Sequence, residues 1–120
     1  MKILVIEDDS RVADLLADAI RSEGHEALVA LTPETGLALF ERERPDGIFL
    51  DIVMPQQSGL EVLQQIRRVM PALPVVVVSG YATPELTAEA TRLGATYVVE
   101  KPLLLTHLSD ALASLNQRGR

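Results

Sequence analysis

Four consecutive valines, Val75-Val76-Val77-Val78, constrain the architecture of this chain more than any other feature. The run is short and wholly β-branched. Pro71 and Pro74 precede it and Ser79-Gly80 follows it, so it reads as a strand. Apolar and polar residues do not alternate along it, which means both of its faces are covered. A strand covered on both faces belongs in a parallel sheet between two layers of helices. Further short apolar runs are Ile3-Leu4-Val5-Ile6, Ala27 to Ala30, Gly47 to Leu50 and Thr96 to Val99.

Helix-patterned stretches separate these runs. In the first, Val12, Leu15, Leu16, Ala19 and Ile20 share one face, Ser10 is the expected cap and Gly24 the left-handed stop. Thr32-Pro33 and Thr83-Pro84 each pair a capping hydroxyl with proline at the first helical position. The helix begun by the first pair runs to about Arg44 and buries Leu37 and Phe40. Gly59 opens a third, with Val62, Leu63, Ile66, Val69 and Met70 inward. The fourth, ending near Leu93 and Gly94, offers only Leu86, Ala90 and Leu93 to a core, so it is loosely held. The last carries Leu105, Leu108, Leu112 and Leu115. The expected fold is α/β: a single doubly wound, five-stranded parallel sheet in the order 2-1-3-4-5 with five helices, flavodoxin-like.

Composition narrows the function classes. With 120 residues the chain is expected to form one domain, residues 1–120, with no output domain in it. The net charge of −6, with no basic cluster to offset it, argues against nucleic-acid binding by this chain. Without cysteine there is no disulfide, zinc-thiolate site or thiol nucleophile. No stretch reads as a signal peptide or a membrane span, so a cytoplasmic protein is expected.

Polar residues gather where the strands end: Glu7, Asp8 and Asp9 after the first, Asp51 after the third, Ser79 after the fourth and Lys101 after the fifth. In this sheet order those ends surround one cleft. Clustered carboxylates repel one another, and a hard divalent cation such as magnesium relieves the repulsion while keeping positions for further oxygen ligands. Lys101 adds a positive charge and Ser79 a hydroxyl. The set suits the dispersed charge of a phosphoryl group in transfer, and aspartate can be the nucleophile in such chemistry.

Glu7-Asp8-Asp9, Leu50-Asp51-Ile52-Val53-Met54-Pro55 with Gly59, Val78-Ser79-Gly80, Gly94-Ala95 and Lys101-Pro102 stand in this order over the whole chain. In these motifs the sequence resembles the receiver domains of two-component response regulators. The resemblance implies that Asp51 accepts phosphate from a histidine kinase or a histidine phosphotransfer protein. It implies that Glu7 and Asp8 hold magnesium, with Asp8 and Asp51 as ligands and Val53 giving a backbone carbonyl. Asp9 is only adjacent. Ser79 matches the switch hydroxyl and Lys101 the phosphate-pairing lysine, and the Lys101-Pro102 bond matches the family's cis peptide. The output is a changed face of fourth helix, fifth strand and fifth helix, which regulates a partner or output domain and is a possible homodimer surface. Such a protein is no enzyme in the usual sense, since its only substrate is itself.

One position departs from the family pattern. The switch aromatic, three residues before the lysine, is here Val98; Tyr97 is one earlier and points to the opposite face. Tyr81, two past Ser79, is the aromatic that could replace part of that coupling. Val53 and Tyr81 also occupy the places that position the water attacking the acyl phosphate. An apolar residue and a bulky one there imply slow self-dephosphorylation. Two other classes are weighed against the switch. A magnesium phosphatase with an aspartyl nucleophile needs a second acid beside it, and Val53 stands at that position. A non-phosphorylated adaptor would be expected to have lost acceptor or metal residues, and this chain keeps them.

Overall fold

The computed structural model describes residues 1–53, 58–80, 83–100 and 108–115. Its elements are β1 (Lys2–Ile6), α1 (Ser10–Ser22), β2 (Glu26–Ala30), α2 (Pro33–Glu43), β3 (Gly47–Asp51), α3 (Gly59–Val69), β4 (Val75–Ser79), α4 (Pro84–Arg92), β5 (Tyr97–Glu100) and α5 (Leu108–Leu115). One five-stranded sheet has the order β2-β1-β3-β4-β5. All four strand pairings are parallel. The valine strand β4 is buried along its whole length, as is β3 beside it. Both are covered from two sides, which is why neither alternates.

The sheet separates two apolar layers. On one face Ile3, Val5, Phe49, Val76, Val78 and Val99 meet α1 and α5. On the other, Leu4, Ile6, Ile48, Leu50, Val75 and Val77 meet α2, α3 and α4. Tyr97 packs on the first layer and Val98 on the second, so strand alternation separates them as expected.

The helix starts show which caps operate. Thr32 accepts from the Thr35 amide at 3.1 Å and Thr83 from the Leu86 amide at 3.2 Å. At α1 the cap is Asp9, not Ser10: its carboxylate accepts from the amides of Arg11 and Val12 at 3.0 and 3.4 Å. A carboxylate there satisfies two orphan amides and complements the helix dipole, which a hydroxyl does less well. Gly24 ends the helix region at φ +88°, the left-handed stop expected of it.

Two helix faces differ from expectation. In α1 the buried residues are Ala13, Leu16, Ala17 and Ile20, while Leu15 is 55% exposed. The two alanines let the helix axis lie close to the sheet, and that rotates the larger Leu15 out to solvent. In α3, Val62, Leu63 and Ile66 are buried as expected, but Val69 is 50% exposed and Met70 only half-buried as the chain leaves the helix. In α4 only Ala90 is buried, in keeping with its sparse apolar pattern.

Candidate functional site

β1, β3 and β4 are neighbours in the sheet, and at the C-terminal end of each the chain carries a polar residue. Glu7, Asp51 and Ser79 are the buried polar or charged residues among those described, at 3%, 1% and 1% exposure. Strand geometry places them. β1 and β3 run in register from Ile3–Gly47 to Ile6–Leu50, so Glu7 and Asp51 each follow one end of that ladder. Asp51 pairs with Val78, and Ser79 is the next residue along β4, itself paired with Glu100.

Asp8 turns outward and is exposed, while Glu7 stays inside. One carboxylate oxygen each from Glu7, Asp8 and Asp51 lie within 4.8 Å of one another. A carboxylate of Glu7 accepts from the Asp9 amide at 3.1 Å, which fixes the bend between β1 and α1. The same bend is held by Asp9 acting as the α1 cap. Below, Val5, Ile6, Leu16, Phe49 and Val78 form an apolar floor under Glu7 and Asp51. Negative charge over such a floor is weakly screened, so the cluster favours a cation.

The loop that leaves Asp51 is tied back twice. The Val53 amide donates to an Asp51 carboxylate oxygen at 3.0 Å. The Gly59 amide donates to the Ile52 carbonyl at 3.2 Å, and Ser58 caps α3 through the Leu60 amide at 3.2 Å. α3 therefore starts directly against the end of β3. A Cβ on Gly59 would lie 2.3 Å from the Ile52 Cα and 2.4 Å from the Asp51 carbonyl oxygen. Only glycine fits at that approach. The Val53 side chain is 67% exposed at the rim of the cluster.

Four of the residues expected at the site, Glu7, Asp8, Asp51 and Ser79, thus come together at one end of the sheet. Val53 joins them through its amide, and Val98 lies in β5 on the α4 side. Lys101, Tyr81, Met54, Pro55 and the Lys101-Pro102 bond lie outside the described residues. The roles of Asp9 as a cap and of Gly59 as a steric necessity were not anticipated. An acid three residues before the first helix face, as Asp9 is before Val12, was the available signal for the cap.

Residues 3–113 match the family model of the response regulator receiver domain. The chain belongs to that family. The receiver fold is equally plain in solved structures. A CheY-like receiver domain protein from Methanospirillum hungatei superposes with a TM-score of 0.90 at 28% identity, covering 97% of this chain and 94% of that one. NtrX from Brucella abortus superposes with a TM-score of 0.89 at 34% identity, covering 97% of this chain and 27% of that one. Among curated proteins, the nitrogen assimilation regulatory protein NtrX of Azorhizobium caulinodans is 36% identical over 98% of this receiver and 25% of its own length. The regulatory protein AtoC of Escherichia coli is 34% identical over 90% of this receiver and 23% of its own length. The receiver thus spans about a quarter of those two relatives. Receivers are signalling modules of two-component systems, and no helix among the described residues is long and apolar enough to cross a membrane.

Proposed function

We propose that this receiver is a phosphorylation-controlled switch, with residues 1–120 forming one domain. The convergence of Glu7, Asp8 and Asp51 at the end of the sheet carries the reading. An Asp51 oxygen attacks the phosphorus of a phosphohistidine presented by a histidine kinase or a phosphotransfer protein. The P–N bond breaks, the P–O bond to Asp51 forms, and the histidine leaves with its electron pair.

The donor set is all oxygen, which suits magnesium. Asp8, Asp51 and the Val53 carbonyl would hold the ion with Glu7 behind them, and bound there it would offset charge on the transferring phosphoryl oxygens. Lys101 pairs with the phosphoryl group. Ser79, at the end of the neighbouring strand, turns its hydroxyl toward it. Val53 holds Asp51 in place through its amide.

Loading Asp51 shifts an existing equilibrium in the face formed by α4, β5 and α5. Ser79-Gly80 leads towards α4, so it is the natural relay. Val98 at the aromatic position leaves the relay to the backbone of the Ser79 loop or to Tyr81. The face then regulates an output domain or partner, or pairs with a second copy. On this reading the protein works in the cytoplasm beside its kinase, and its substrate is itself alone.

The test is intact mass after incubation with magnesium and acetyl phosphate, beside Asp51→Asn. The wild type should gain one phosphoryl group, and EDTA or the substitution should abolish the gain. A wild type that neither gains mass nor binds magnesium would overturn the reading.

A further inference from the structure

Arg67, near the C-terminal end of α3, makes contacts unlike those of any other described arginine. Its Nε and Nη2 both donate to the Gly94 carbonyl, at 3.0 and 2.6 Å. Its Nη1 donates to the carbonyls of Met70, at 3.1 Å, and Leu73. All three acceptors are main-chain oxygens. Met70 is the cap residue of α3, Leu73 lies in the turn into β4, and Gly94 follows the cap of α4. Helices end in carbonyls without partners and in partial negative charge. One guanidinium therefore serves the C-terminal ends of two helices and the turn between α3 and β4. It is half-buried, burial pulls it below its ordinary pKa, and its four hydrogen bonds hold the side chain in place. Gly94 is matched to it: φ is +107°, and a Cβ there would lie 2.6 Å from Nε.

The rest of α4 is asymmetric in the same sense. Ala90 is fully buried in its second half, and the Ala95 amide returns to the Ala90 carbonyl at 2.9 Å. Directly beyond, Thr96 and Val75 exchange two hydrogen bonds, amide to carbonyl at 2.8 Å and amide to hydroxyl at 3.1 Å. The first half has no fully buried residue: Leu86 and Thr87 are half-buried, and Thr83 caps it. Yet the first half is the end nearer to Ser79.

We infer that Arg67 is the fixed end of a lever: it pins the C-terminal end of α4 to α3, so that the helix responds to the site by swinging its N-terminal end about Gly94. This rests on the proposed phosphorylation of Asp51. Arg67 is a positioning residue, far from the reacting atoms. Its work is to convert a change at Ser79 into a rotation of α4 and to prevent a sliding of the whole helix.

The test is amide hydrogen exchange on the full chain, free and loaded with magnesium and beryllofluoride, beside Arg67→Gln and Arg67→Lys. In the wild type, loading should change exchange in residues 85–89 and leave 91–95 unchanged. In free Arg67→Gln, exchange at Leu93, Gly94 and Ala95 should rise roughly tenfold or more, as expected when several net-stabilising hydrogen bonds to that end are lost. On loading, its response should spread along the whole helix. Arg67→Lys keeps the charge and stem without the fork, and should fall between them. Intact mass should show unimpaired phosphorylation of both variants. Equal changes at the two ends of α4 in the wild type, or unchanged exchange at 93–95 in free Arg67→Gln and Arg67→Lys, would overturn the lever. The second comparison needs no phosphoryl group, so a wild type that cannot be loaded would count against the switch and not against the anchor.

Discussion

Replacing Gly59 by alanine should damage the site more than the fold. The added Cβ would lie 2.3 Å from the Ile52 Cα and 2.4 Å from the Asp51 carbonyl oxygen, both rigid main-chain atoms. Neither atom can rotate away as a side chain would, so α3 or the strand end must give. Ordinary contact distances require a shift of about 1 Å, and a misplacement of that size at reacting groups costs on the order of 100-fold in rate. Overpacking of this kind costs about 1–3 kcal/mol, which in a domain of this size lowers Tm by roughly 5–15 °C. The assay is the rate of mass gain with acetyl phosphate and magnesium, at a temperature where circular dichroism shows the variant folded. Gly80→Ala is the control, because a Cβ there meets nothing within 4 Å and should change stability by no more than about 0.5 kcal/mol. A folded Gly59→Ala protein that is phosphorylated at the wild-type rate would refute the claim that this close approach positions Asp51.

Val53→Asn combined with Tyr81→Glu should shorten the lifetime of phosphorylated Asp51 by on the order of tenfold, since polar groups at the rim orient water; an unchanged decay rate would exclude the slow-decay reading. Acid should weaken one surface cluster in a defined way. The Arg42 hydrogen bond, aided by Lys2, holds the Glu43 carboxyl below its ordinary value of 4.5. A carboxyl depressed by folding contributes stability that is present above the unfolded value and lost as pH falls through the folded one. Wild type and Glu43→Gln should therefore differ slightly above pH 4.5 and converge in stronger acid, and urea unfolding across that range measures it.

The order of elements was legible because local and global demands agree. Runs such as Val75–Val78 cannot be half-exposed strands, and Thr32-Pro33 and Thr83-Pro84 announce helices by their own chemistry. The acid cluster was legible for a similar reason, since strand ends in a parallel sheet share one edge. The errors came where tertiary packing decides between near-equal local choices. Counting large apolar residues put Leu15 inside, whereas close packing on the sheet selects Ala13 and Ala17. Asp9 and Ser10 both suit an N-cap, and the bend fixed by Glu7 selects Asp9. Arg67 was not legible at all. Its partners are main-chain carbonyls up to 27 residues away, and no side-chain pattern marks those.

The division of the interior by the sheet bears on how such a domain can be recombined. α1 and α5 share one apolar layer, although they stand at opposite ends of the chain. Leu115 of α5 even lies over Gly47, so closely that a Cβ there would meet its methyl groups at 2.9 Å. A chimera that takes α5 alone from a relative therefore mixes two halves of one jigsaw, while one that takes α1 and α5 together carries its fit with it. The layer under α2, α3 and α4 lies across the sheet and can drift or be redesigned separately, with nearly additive effects.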